Sequence, residues 1–464
     1  MDIARRIARM RAQSPAPEPA SEPVDSGDPR VVELKKRLDA LVARQRADLR
    51  EGRPRGGDRA LPGDAIDTPY GDVHVVEQHL DPAHCHGRAP VAAALRASST
   101  TLGQLTFGDD RDPISAAGAL FVDTETTGLS QGAGTLPFLI GLAWFDGESL
   151  TLRQLLLQRP GDEAPMLQMV RERICKSSCI VTYNGKSFDW PLLRNRFVMN
   201  RVPVPELPPH IDLLHSARCV YKGRLERVRL VNVEDRVLGF LRVDDVEGHE
   251  IPELYWSYVR GGSPGALEPV IEHNANDIIA LAALLGSLAE RLEGRVRCRE
   301  PIDELGLARL ALRCGDEGRA LDLAKAVADD GDGQPAIDAS VLAARLSRRD
   351  HDDAQALVYL HRAIEHALNA GVAAPEARLA LAKLYEHQLK DFVQALEHAT
   401  LAQSVETHEV HARRIARLAR RIERRARSCD ASRGSSGRRG RRAAVMEPQG
   451  ALDRDALELV QHQG

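Results

Sequence analysis

The sequence predicts an α/β domain, a mixed sheet flanked by helices, followed by an all-α domain of helical repeats. Three observations predict it. Between Ala119 and Leu157 three apolar runs of strand length follow one another, the last two separated by Asp146-Gly147, a hairpin signal. From Met166 to Phe197 the apolar pattern changes to helix, strand, helix. Beyond residue 301 no strand pattern remains, and Ala-Leu pairs recur 36 and 39 residues apart.

The elements follow in order. Residues 1–65 read as linker: Ser14-Pro15-Ala16-Pro17-Glu18-Pro19 is proline-rich, and only Val31 to Leu49, with Val32, Leu34, Leu38, Leu41 and Val42 at helical spacing, predicts a helix. Residues 66–118 hold short strand-like pieces such as Val73-His74-Val75-Val76 and read as an N-terminal extension of the next domain. Residues 119–292 form the α/β domain. Ala119–Val122, Pro137–Phe145, Leu150–Leu157 and Cys179–Tyr183 read as strands, and Met166–Cys175 and Phe188–Phe197 as helices. Three antiparallel strands followed by helix–strand–helix require a mixed sheet. In residues 301–412, Leu307-Ala308-Arg309-Leu310 with Arg319-Ala320-Leu321, Val341 to Ala344 with Gln355-Ala356-Leu357, and Leu381 to Tyr385 with Gln394-Ala395-Leu396 resemble the helix pairs of tetratricopeptide repeats, which often bind protein partners. A plain helical bundle fits the same pattern. Residues 413–464 read as a basic, mostly disordered tail.

A chain of 464 residues with 43 % apolar and 28 % charged residues is long enough for two or three packed domains. It shows no apolar run of membrane-spanning length and no secretory signal. Its seven scattered cysteines suit reduced thiols, so a cytoplasmic location is expected. The net charge of −4 is unevenly spread: Arg413 to Arg442 holds 13 arginines against Glu423 and Asp430, or +11, which leaves −15 for the rest. Such a tail fits nucleic-acid contact or a solvated terminus equally well.

The chemistry starts at Phe121-Val122-Asp123-Thr124-Glu125-Thr126-Thr127-Gly128. On a strand, residues i and i+2 share a face, so Asp123 and Glu125 stand side by side where the apolar run ends. Two carboxylates that close raise each other's proton affinity unless a cation sits between them, and hard divalent ions favour such oxygens. Two more acids have suitable settings. Asp189 follows the turn Asn184-Gly185-Lys186-Ser187 and opens a helix, and Asp277 lies four residues after His273, on one helical face with it. Ile278, Leu281, Leu284 and Leu285 would pack that helix on the sheet. Four such carboxylates can hold two Mg²⁺ or Mn²⁺ ions about 3.5–4 Å apart for in-line attack on a phosphodiester. His273 would take the water's proton.

These motifs resemble the DnaQ-like (DEDD) 3′–5′ exonucleases of the ribonuclease-H-like superfamily, and most of all the YprB-type ribonuclease-H-like domain. Asp123-Thr124-Glu125-Thr126-Thr127-Gly128, Asn184-Gly185-Lys186-Ser187-Phe188-Asp189 and His273-Asn274-Ala275-Asn276-Asp277 match the three exonuclease motifs in order, over residues 115–292. The resemblance implies that Asp123, Glu125, Asp189 and Asp277 are metal ligands, that His273 is the base, and that digestion runs 3′ to 5′. The third motif departs from the family: His273 has the spacing usual for a tyrosine.

Other candidates carry two readings. Arg218, Lys222, Arg224, Arg227 and Arg229 form a basic run that would track phosphates or simply be a solvated face, and Lys186 lies beside the site. His210 and Asp212 are expected to open a helix, with Asp212 either an outlying acid of the site or an ordinary helix-start carboxylate. Phe188 is expected in the core. Ser130 to Thr135 is a glycine-containing loop without the lysine of a phosphate-binding loop, and His84-Cys85-His86 lacks a second ligand pair for zinc. The sequence therefore predicts a metal-dependent nuclease. The alternative is a nucleic-acid-binding or scaffold protein on the same fold with little turnover.

Overall fold

The computed structural model describes residues 60–108, 114–128 and 134–436. The proline-rich segment, the Val31–Leu49 helix, most of the glycine loop and the end of the basic tail lie outside the described residues.

One seven-stranded sheet carries the strands β1 (Asp64–Thr68), β2 (Gly71–Leu80), β5 (Ala119–Thr126), β6 (Pro137–Asp146), β7 (Ser149–Leu156), β8 (Cys179–Thr182) and β9 (His210–Asp212) in the order β1-β2-β7-β6-β5-β8-β9. A separate two-residue ribbon pairs β3 (Cys85–His86) with β4 (Ala89–Pro90). Neighbours from β1 to β5 are antiparallel, while β5–β8 and β8–β9 are parallel. The sheet is therefore mixed, as expected. Parallel pairs need a helical crossover. Helix α2 (Glu163–Cys175) follows β7 on the way to β8, and α3 (Asp189–Met199) returns the chain to β9; α1 (Ser99–Leu105) precedes the sheet's central strands. The buried carboxylate of Glu163 receives the Arg196 guanidinium in a forked pair that ties α2 to α3.

Burial follows position in the sheet. β6 is covered on both faces and reads as an unbroken apolar run from Pro137 to Ala143. β5 is buried from Ala119 to Val122 and becomes half-buried from Asp123 onward, so its acids emerge where the core ends. His210–Asp212 is a fully buried strand, and α4 (Leu213–Tyr221) begins directly after it with Asp212 as its N-cap. A three-residue strand with one aliphatic side chain has too few positions to show a period.

After α5 (Leu230–Val233) and α6 (Ile251–Val259), the 25-residue helix α7 (Glu268–Leu292) lies against β5 and β6. Ile278, Leu281, Leu284 and Leu285 are fully buried beneath it. The contact depends on Gly141: a Cβ there would stand 1.9 Å from Ile278 Cδ1 and 2.3 Å from Asn274 Oδ1. Gly141 is also the cross-strand partner of Asp123, so one glycine sets the depth of α7 beside the acidic pair.

The C-terminal part is helical: α8 (Pro301–Arg313), α9 (Glu317–Asp330), α10 (Gly333–Arg349), α11 (Asp353–Asn369), α12 (Pro375–Leu384), α13 (Phe392–Thr400) and α14 (His408–Ser436). The recurring Ala320, Ala356 and Ala395 are all fully buried at contacts between successive helices. This region is not hung on a linker. Helix α8 packs on α4 so closely that a Cβ on Gly306 would meet the Val220 carbonyl at 2.2 Å, and one apolar core runs from Val91 to Leu384. The basic segment expected as a tail from 413 is helical to 436, because Ile415 and Leu418 pack on Ala382, Ala395 and Ala399 while Arg417 forks onto the buried Glu386 at 2.8 Å.

Candidate metal and nucleic-acid site

The end of β5 holds the acidic pair, and each neighbour reaches it from a different element. Asp123 accepts a hydrogen bond from Asn274 Nδ2 at 2.8 Å. Asn274 is oriented in turn by Gln154 on β7, whose Nε2 donates to Asn274 Oδ1 at 2.9 Å and to the Ile271 carbonyl at 2.7 Å. Gln154 and Asn274 are fully buried, so this relay is rigid and shielded from water. The ladder between β5 and β6 is irregular at Glu125/Thr126, where the strand turns out of the sheet.

Asp189 opens α3, as expected, and accepts the Thr124 hydroxyl at 2.5 Å. The turn before it is held from below by the buried Asp212. Its carboxylate accepts the Asn184 amide at 2.7 Å and the Lys186 amide at 3.1 Å, and also caps α4 through the Leu214 amide. Asn184 has φ +71°, a left-handed conformation that asparagine tolerates. Asp212 is thus a helix-start carboxylate that also fixes the loop leading to Asp189.

His273 and Asp277 lie on α7 with their side chains toward Glu125. His273 Nε2 is 3.9 Å from Glu125 Oε1 and 3.8 Å from Asp277 Oδ2, and its Nδ1 is hydrogen-bonded to Asp245 Oδ1 at 2.8 Å. One ligand atom from each of Glu125, His273 and Asp277 falls within 4.8 Å of the others. Asp123 and Asp189 lie outside that tightest group but act on it electrostatically.

Burial is the main cause of the raised proton affinities here, with mutual repulsion added. The Asp123 carboxyl is pushed well above the usual range by burial and by Asp277, Glu125 and Asp189. Burial lifts Glu125 to about 7, against the lowering influence of His273. Asp189 rises to about 6 by burial, opposed by the Thr124 hydrogen bond. Burial alone would lower the His273 imidazole, but Asp277, Glu125 and the Asp245 bond together hold it above the ordinary histidine value. Mutually repelling hard oxygen donors, of which Asp277 is paired with Arg242, and one imidazole match the donor chemistry of a Mg²⁺ or Mn²⁺ site.

A stability prediction follows. Between about pH 4.5 and 7 the folded, metal-free chain holds more protons on Glu125 and Asp189 than the unfolded chain, so stability falls as pH rises. The raised His273 acts in the same direction, since its contribution is present at low pH and lost as pH rises through its folded value. In EDTA the melting temperature should be lower at pH 7.5 than at pH 5.5, and Mn²⁺ should recover the loss at pH 7.5. A melting temperature that ignores both pH and Mn²⁺ would contradict the assignment.

No motif pointed to Arg242. Its side chain is 3 % exposed and its guanidinium contacts the buried Glu234, Asp245 and Asp277. Glu234 is held on its other side by His86 Nε2 at 2.7 Å, and His86 stacks on Phe240 with ring centroids 3.8 Å apart. His86 therefore belongs to an ion-pair chain ending at Asp277. His84 and Cys85 form no metal cluster with it among the described residues.

The remaining candidates divide. Lys186 Nζ donates to the Thr106 carbonyl at 3.2 Å. Arg224 forks onto Asp303 at 2.6–3.1 Å, joining the α/β part to α8. Lys222, Arg227 and Arg229 are exposed. Phe188 is not in the core: it is 49 % exposed and lines a small cleft with Asp123, Thr124 and Asp189. It is the last residue before α3, so the helix that buries Leu192 and Leu193 leaves it outside.

The mixed sheet with flanking helices and the acidic cluster at the end of β5 define a ribonuclease-H-like protein. The profile of the RNase_H superfamily matches residues 120–289. The chain is 32 % identical over 285 residues to a protein of Bacillus subtilis (strain 168) described as uncharacterized protein YprB, covering 60 % of this chain and 67 % of that one. This chain belongs to the RNase_H superfamily, in the family of YprB. Members of that superfamily are commonly nucleases that use divalent metals. No described helix is long and apolar enough to cross a membrane.

Proposed function

We propose that the protein is a metal-dependent 3′–5′ exonuclease of the DEDD type. The observation that carries this reading is the meeting of Asp123, Glu125, Asp189, Asp277 and His273 at the end of β5, with proton affinities that an added cation would relieve. Asp123, Glu125, Asp189 and Asp277 would hold two Mg²⁺ or Mn²⁺ ions. Bound there, the ions would lower the pKa of an attacking water and neutralise charge at the scissile phosphate. His273 presents Nε2 to the site while its Nδ1 donates to Asp245, which is itself paired with Arg242, and this suits accepting a proton or aligning the water. Gln154 and Asn274 keep Asp123 in register. Phe188 offers a ring face beside Asp189 for the terminal base.

Lys186, Lys222, Arg227 and Arg229 are assigned to the strand's phosphates, and Arg224 to holding α8 in place. The pairs α8/α9, α10/α11 and α12/α13 are assigned as tetratricopeptide-like units, with a protein partner on their exposed faces. The working boundaries are 66–118 for the extension, 119–292 for the catalytic domain and 301–412 for the helices, in a cytoplasmic protein.

One observation favours a nucleic-acid-binding protein with little turnover: Arg242 already supplies positive charge to Asp277. End-labelled single-stranded and duplex DNA and RNA, incubated with Mg²⁺ or Mn²⁺, separate the two readings. Stepwise shortening from the 3′ end supports the exonuclease, and binding without shortening supports the alternative.

A further inference from the structure

An arginine-lined cleft of about 440 Å³ lies where the α/β part meets the helical part. Six arginines line it: Arg88, Arg224, Arg236, Arg291, Arg297 and Arg299. They come from three separated stretches of chain, and only Arg224 falls within the basic run seen in the sequence. Among the lining residues Glu290, Glu300 and Asp303 oppose them, in a chain whose residues outside the basic C-terminal segment sum to −15.

Some of these arginines are already fixed by the fold. Arg224 is forked onto Asp303, and Arg291 donates to the Ser287 carbonyl at 2.7 Å. Arg297 pairs with Asp330 at 3.3 Å. Arg236 has only the adjacent Asp235, itself well exposed, at 2.9 Å. Arg88 packs against the Gly239 turn, where a Cβ would stand 2.5 Å from its Cζ. Arg88 and Arg299 make no ion pair with a described carboxylate. The cleft thus has a rigid, internally paired floor and a rim of Arg88, Arg236 and Arg299 with donors to spare. Guanidinium groups in this arrangement suit phosphate oxygens, which they bind in forked geometry.

Two elements connect the cleft to the acidic site. Ser287, Glu290 and Arg291 lie on α7, the helix that carries Asp277, 10 to 14 residues further along, or about 15–21 Å at the helical rise of about 1.5 Å per residue. The turn Glu234–Leu238 supplies Arg236 to the cleft and, through Glu234, holds Arg242 against Asp277. At about 3.4 Å per stacked nucleotide the interval corresponds to about four to six nucleotides.

We propose that this arginine cleft is a second binding site for the phosphate backbone of a nucleic-acid strand whose end lies at the acidic site. The proposal rests on the nuclease reading for the class of strand, and its test keeps the two apart. Binding of a fluorescein-labelled 20-nucleotide single strand to the full chain in EDTA, where no hydrolysis occurs, is measured across 50–200 mM salt. Arg88→Ala/Arg236→Ala/Arg299→Ala should bind at least tenfold more weakly at 100 mM salt, and its log–log salt slope should shrink by about 2, three phosphate contacts at about 0.7 each. The single substitution Arg299→Glu should weaken binding in the same direction, and the triple lysine variant should restore most of it. Mn²⁺-dependent hydrolysis of bis(p-nitrophenyl) phosphate, too small to reach the cleft, should be unchanged in the triple alanine variant. Unaltered affinity and salt slope in both the triple and the Arg299→Glu variants would overturn the cleft. If the wild type fails to hydrolyse the small diester, the nuclease reading falls, while the EDTA binding comparison still decides the cleft.

Discussion

Asp123→Asn is expected to reduce phosphodiester hydrolysis by about a thousandfold or more while leaving the protein folded. Asparagine has nearly the shape of aspartate, and its carbonyl can still accept the Asn274 Nδ2 hydrogen bond, so the Gln154–Asn274 relay survives. What disappears is one negative charge at the centre of the cluster, the group that repels Asp277, Glu125 and Asp189 together. Charge stabilisation by bound metal is worth several kcal/mol, and each 1.36 kcal/mol is a factor of ten in rate, which gives the expected loss. Stability should move the other way. Removing one of several repelling buried acids should leave the metal-free protein at pH 7.5 at least as stable as the wild type, with a smaller Mn²⁺-induced rise in melting temperature. Loss of activity together with loss of folding would assign Asp123 to structure instead.

Gly141→Ala is expected to destabilise the protein by about 1–3 kcal/mol, at the upper end of that range or beyond it. The new Cβ would occupy the space of Ile278 Cδ1, 1.9 Å away, and crowd Asn274 Oδ1 at 2.3 Å. Helix α7 must then shift off β6, and it carries Asn274, His273 and Asp277. Activity should fall together with stability. Ile278→Val removes the atom in the shorter contact at a cost of about 0.5–1.5 kcal/mol on its own. The double variant should therefore be more stable than Gly141→Ala alone, while activity stays low because the Asn274 contact remains. Additive destabilisation in the double variant would show that the two positions do not compete for the same space.

The parts of the fold legible in the sequence are those with enough residues to show a period. The strands β5 to β8 and the helices α2 and α3 each offer at least four patterned positions, and β6 reads as continuous apolar sequence because it is covered on both faces. The acids of the site were legible from their settings: Asp123 and Glu125 stand where an apolar strand run ends, Asp189 opens a helix after a turn, and Asp277 shares a helical face with His273. The strand β9 was not, since Ile211 is its only aliphatic residue. Phe188 was misjudged because an aromatic beside a helix start normally packs inward, whereas here Asp189 takes the inward position and leaves the ring outside.

The supporting groups carried no signal of their own. Gln154 is one of several polar residues in its strand, fully buried where α7 crosses it and hydrogen-bonded to that helix. Arg242 and Asp245 lie between α5 and α6 in a stretch without periodicity. The arginine cleft is dispersed over residues 88–299 and exists only after the helical part docks on α4. For the same reason the helices from α8 onward are packed against the α/β part rather than appended to it: removing them would expose the apolar surface of α4 around Val220 and Tyr221.

The most direct test is a single time course with a 5′-labelled oligonucleotide, the wild-type protein and Asp123→Asn, in Mn²⁺ and in EDTA. A ladder of products shortened one nucleotide at a time from the 3′ end, seen only with the wild type in Mn²⁺, is the predicted result. Equal shortening by Asp123→Asn, or shortening in EDTA, would contradict a metal-dependent exonuclease built on the acids at the end of β5.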